Sequence, residues 1–84
     1  MILKVQHFKD NFVGSYEEEI YSNVERIAKT RDINEDLFIN LKFKNQDIEE
    51  IIPVTHIDNK GNHVSLVGAI WLMNDEGKTI EKLI

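Results

Sequence analysis

Eighty-four residues, none of them cysteine, suit a single domain over 1–84 and exclude disulfide scaffolds, thiolate metal sites and thiol nucleophiles. Hydrophobic residues at 42% against 30% charged argue for a folded chain, and the net charge of −5 is spread along it, six Lys/Arg against eight Asp/Glu in 1–42 and four against seven in 43–84. No basic cluster exceeds "LKFK", so the cationic patch that direct nucleic-acid binding requires is not expected.

The first predicted element is a strand over 2–8, rich in Ile, Leu, Val and Phe and ended by the turn pair Asp10-Asn11. It meets Lys4 early and lacks the apolar run of a signal peptide. The segment "SYEEEIYSNVERIAK" follows. Tyr16, Ile20, Val24, Ile27 and Ala28 recur at spacings of three and four, which predicts an amphipathic helix. Ser15 and Glu18 have the spacing of a capping box, and Glu17, Glu18 and Glu19 fall where the helix dipole favours negative charge. Lys29 and Arg31 suit the other end, so the acidic run reads as helix chemistry rather than a recognition surface.

"EDLFINLKFK" alternates, with Leu37, Ile39, Leu41 and Phe43 on one side and Asn40, Lys42 and Lys44 opposite beside Phe38, the pattern of a half-buried strand. From Asn45 the chain either makes one or two helical turns stopped by Pro53 or returns directly as a strand; the short helical turn is the preferred reading, followed by a strand over 54–58. "DNKGN" signals a hairpin whose second arm runs from His63 to Met73. "NDEGK" marks another turn, and "TIEKLI" reads as the last strand. The expected fold is α+β: a mostly antiparallel sheet of four to five strands, one amphipathic helix on one face, in the order strand, helix and then strands.

The arm 63–73 carries apolar residues on both sides: Val64, Leu66, Gly68, Ile70 and Leu72 on one, Val67, Ala69, Trp71 and Met73 after His63 and Ser65 on the other. A single helix covers one side of a sheet, so Val67, Ala69, Trp71 and Met73 are expected to need another cover. The segment 45–53, the residues Phe12 and Val13, a second copy in a homodimer, or a different protein would serve. Leaving such a patch wet forgoes ~25 cal/mol per Å² of apolar area. The predicted partner-binding set is Val67, Ala69, Trp71 and Met73, rimmed by Glu49 and Glu50.

Chemistry is sparse. In one register of the "DNKGN" hairpin, opposing Asp58 and His63, the side chains of His56, Asp58 and His63 converge on a metal-sized site with Ser65; in the register opposing Ile57 and His63, the two histidines part. Ordinary polar residues at a hairpin tip account for these side chains, so no metal or cofactor is expected. Ser15, Ser22 and Ser65 lack a nucleophile's surroundings, and the adjacent Glu49 and Glu50 diverge. Gly14, Gly61, Gly68 and Gly77 are too scattered to cradle a phosphate; Gly68 suggests a bulge or close packing. No enzyme is expected.

The closing "AIWLMNDEGKTIEKLI" resembles the strand–turn–strand ending of the small phage-encoded uracil-DNA glycosylase inhibitors, over less than a fifth of the chain. That resemblance implies a blocker of a DNA-processing enzyme, although the family presents a more acidic edge than this sequence does. Ile, Asn and Lys supply 28 residues and Ala, Gly, Pro and Arg only 9, a bias that suits an AT-rich bacterial or phage genome. The expected function is a small acidic, cytoplasmic, non-enzymatic protein-interaction module, such as a phage or mobile-element inhibitor of a host protein. Other readings are a DNA mimic of the glycosylase-inhibitor or anti-CRISPR kind, with Glu17–Glu19, Asp32–Asp36 and Asp47–Glu50 as its acidic stripe, or a small metal binder. Neither nucleic acid nor membrane is expected as a direct partner.

Overall fold

The structure, a computed structural model, describes residues 1–8 and 16–84. The features expected at Asp10-Asn11, Phe12, Val13, Gly14 and Ser15 lie outside those residues. Nine strands run β1 (Ile2–Phe8), β2 (Tyr16–Tyr21), β3 (Val24–Arg31), β4 (Leu37–Phe43), β5 (Glu49–Pro53), β6 (Thr55–Ile57), β7 (His63–Ser65), β8 (Val67–Met73) and β9 (Thr79–Lys82). There is no helix among the described residues, and so none long and apolar enough to cross a membrane.

This corrects the α+β expectation to an all-β fold. The predicted helix is two strands, β2 and β3, parted at Ser22-Asn23, where Asn23 adopts φ +59. In the strand, Tyr16, Glu18 and Ile20 share one face and Glu17, Glu19 and Tyr21 the other, with apolar residues on both faces and no strand alternation in the sequence. Tyr, Ile, Val and Thr also prefer a pleated surface, and pairing with β1 settles the competition. The glutamates thereby serve a sheet: Glu18 Oε2 lies 3.2 Å from Lys4 Nζ on β1, diagonally across the strand pair.

Two further expectations change. The helical turn after Asn45 is a left-handed turn residue (φ +61) leading into β5, with Pro53 on a sheet-edge strand where a missing N–H is tolerated. The arm 63–73 is two strands in different sheets, broken at Leu66, whose N–H donates to the Val54 carbonyl at 2.7 Å.

The chain forms two compact units, one from 1–24 with 67–84 and the other from 25–66. The first holds the antiparallel sheet β2-β1-β8-β9. Val5 pairs with Ile70 and Leu3 with Leu72; Leu3, Val5 and Ile70 are fully buried, so this side is the core face. Each such side chain contributes about 1.5–3 kcal/mol by leaving water. Val24 joins this core and exchanges backbone hydrogen bonds with Met1.

The second unit contains the sheet β3-β4-β5 and the hairpin β6-β7. Ile39 and Leu41 of β4, Ile52 of β5 and Val54 form its core, on the side of β4 that the alternation indicates.

One loop shape recurs three times, at 32–36, 58–62 and 74–78. Asp32, Asp58 or Asn74 opens it, and the side-chain oxygen accepts N–H bonds from the residues two and four places on, at 2.9–3.0 Å. The first carbonyl accepts from the fourth N–H, and the first N–H donates to the fifth carbonyl. The fourth residue is left-handed: Glu35 at φ +65, Gly61 at +81, Gly77 at +83. This is a type I turn closed by a bulge, a shape that Asp or Asn at the first place favours.

Candidate functional site

The outer face of the four-stranded sheet is built by strand register. Lys4 stands opposite Ile20 on one side and Trp71 on the other, and Trp71 stands opposite Lys82. These four side chains therefore form a row across all four strands, with Ile2 opposite Met73 beside it. Ile20 is 61% exposed, whereas Ile2, Lys4, Trp71 and Met73 are half-buried. The Lys4 ammonium sits 5.1 Å from the Trp71 ring centre, a cation–π contact.

Further along β8 the register slips. Gln6 pairs with Ala69 and His7 with Val67, leaving Gly68 as the extra residue of a bulge. A Cβ on Gly68 would lie 2.9 Å from the Tyr16 ring and 3.1 Å from Gln6 Oε1, so Gly68 faces outward with Ala69. Tyr16 in turn stacks at a tilt on Phe8, ring centres 5.4 Å apart. The bulge resets the alternation and turns Val67 to the face of Val5 and Ile70.

The predicted partner-binding residues thus divide. Val67 and Ala69 are buried, at 2% and 4% exposure. Trp71 and Met73 are half-buried on the outer face. Glu49 and Glu50 are exposed on β5, in the other unit, with Glu49 3.7 Å from Arg26. Ile20, a helix residue by its spacing in the sequence, joins this face through its pairing with Lys4, which no local pattern signals.

In the second unit the β6–β7 hairpin pairs Ile57 with His63, so His56 and His63 point to opposite faces and the His56, Asp58, His63 set does not converge. Among the described residues no three His, Asp or Glu side chains group as metal ligands. His63 Nδ1 instead lies 2.9 Å from Oδ1 of Asp36, a carboxylate only 7% exposed. The Thr55 hydroxyl donates to the same oxygen at 3.3 Å and accepts the Leu37 N–H at 2.8 Å. The 27-residue gap between Asp36 and His63 hides this cluster from sequence patterns. The cluster supplies the nearly buried Asp36 carboxylate with its hydrogen-bond partners.

Four glutamates lie beside a cationic or imidazole group. Glu18 meets Lys4, Glu19 Oε2 lies 3.3 Å from His7 Nε2, Glu25 meets Lys42 at 2.9 Å, and Glu49 meets Arg26. The His7 nitrogen is shut off from solvent but not aligned for a hydrogen bond, so its contact with Glu19 is one of proximity. Glu25 is held below the usual carboxylate range by its hydrogen bond to Lys42 and then by that ammonium's charge.

No protein-family model matches the chain, and comparisons with curated proteins and with solved structures give no match either. The likeness of the closing hairpin to the glycosylase inhibitors therefore rests on its local pattern alone.

Proposed function

We propose that this protein is a small non-enzymatic interaction module that binds another protein surface through the outer face of its four-stranded sheet. The observation that carries the reading is the row Ile20–Lys4–Trp71–Lys82, with Ile20 exposed and Trp71 half-buried. Tryptophan is among the residues that interface hot spots favour, and here it stands on a face with an exposed aliphatic side chain. Small size, acidic charge and the AT-rich residue bias suit an inhibitor or regulator of a host protein carried by a phage or mobile element. A phosphate mimic is less favoured, because within the acidic clusters Glu18 and Glu49 lie beside Lys4 and Arg26 and Asp36 is buried.

Ile20→Lys tests the proposal, since an exposed side chain can be changed without touching the core. Light scattering on the pure chain and capture from host lysate are run on wild type and variant. The expected outcome is a complex that forms with wild type and is lost in Ile20→Lys, with the unfolding midpoint unchanged. A complex at full strength in the variant, or a wild type that neither self-associates nor captures a protein, overturns it.

A further inference from the structure

Building on that proposal, we infer that the occupant of the outer sheet face is a short acidic segment of another protein, carrying one apolar anchor residue. The charge on the face points away from that of the whole molecule. Its strand residues present Lys4 and Lys82 against Glu18, on a chain whose net charge is −5. Lys4 is held by Glu18, whereas Lys82 is exposed and has no ion-pair partner among the described residues. Lys82 stands directly across from Trp71 in the strand register, on the same face of the sheet. The Glu18–Lys4 pair shows in cis the contact such a ligand would make: a carboxylate taken up by the lysine that also caps the indole.

Size argues against a second copy. Four strands about 4.8 Å apart and some six residues long at ~3.3 Å each present about 400 Å². Stacking two such faces buries ~800 Å², below the ~1,000 Å² a specific interface should clear. A short segment needs less area: its apolar residue lies along Trp71 and Met73 on β8, and its carboxylates reach the two lysines that flank Trp71.

Trp71 is the sole tryptophan, so its fluorescence reports on this face directly. The probes are two capped hexapeptides, one alternating Glu with Leu and the other Lys with Leu, titrated into the full chain. The expected result is a saturable emission change with the Glu/Leu peptide that weakens with salt. Lys82→Glu should weaken it about fivefold and shift the preference toward the Lys/Leu peptide. Equal response to both peptides, no response to either, or indifference to Lys82→Glu overturns the inference. Emission that shifts with the protein's own concentration overturns it too, and assigns the face to a second copy. In each of these cases the proposed function survives if Ile20→Lys still abolishes the native complex, so the two failures are separable.

Discussion

Glu35 occupies the left-handed place that Gly61 and Gly77 fill in the other two loops. A side chain in that conformation costs ~1–2 kcal/mol, which glycine avoids at some expense in chain entropy. Glu35→Gly should therefore stabilise the protein by about 0.5 kcal/mol and raise Tm by a few degrees, read by thermal unfolding. Gly61→Ala should do the opposite, by about 1 kcal/mol, although nothing lies within 4 Å of the added methyl. Glu25 gives a pH-dependent counterpart. Its folded carboxyl is more acidic than the unfolded one because Lys42 Nζ hydrogen-bonds and charges it. The pair's small contribution is present above the unfolded carboxylate range and is lost as pH falls through the folded value. An NMR titration should find Glu25 titrating below the ordinary carboxylate range, and Lys42→Met should move it back up toward that range.

Among the elements, β4 and the two glycine-bearing turns were legible because a single period or a single turn residue dominates each. The segment 15–31 was misleading because its apolar residues follow helical spacing and show no strand alternation. Helical spacing and a plausible cap won locally, and only the partner strand β1, which offers Lys4 to Glu18, decides for β2. The Ser22-Asn23 pair was the available warning, since Asn enters the left-handed region more readily than most residues. The site was half legible. Trp71 and Met73 keep the face that alternation assigned, while the bulge at Gly68 removes Val67 from it. That bulge has its own test. Gly68→Ala should drive the Tyr16 ring off the strand and cost about 1–2 kcal/mol, and the penalty should shrink in a Tyr16→Ala background. A double-mutant cycle by denaturant unfolding measures it; equal penalties in both backgrounds would show that the ring is not the obstacle.

At the scale of the whole molecule, far-UV circular dichroism should show a strand-dominated spectrum with no helical minima, because every regular element among the described residues is a strand. A helical signature would restore the amphipathic segment and remove Ile20 from the proposed binding face. The first unit is assembled from both ends of the sequence, with the second unit's residues between them. Its sheet therefore rests on the distant pairing of β1 with β8, which has to close a long loop before any contact rewards it. Sequence periodicity is blind to such a pairing, which is why the arm 63–73 read as one strand.

The threefold loop carries a consequence for engineering. Because 58–62 and 74–78 share hydrogen bonding and backbone angles, their five-residue sequences are interchangeable cassettes, and transplanting either into the other's place should leave both hairpins in register. The loop at 32–36 accepts the same graft only if its fifth residue is kept. That residue is Asp36, and a donor's Asn or Lys there would strand the imidazole and hydroxyl that now lean on its carboxylate.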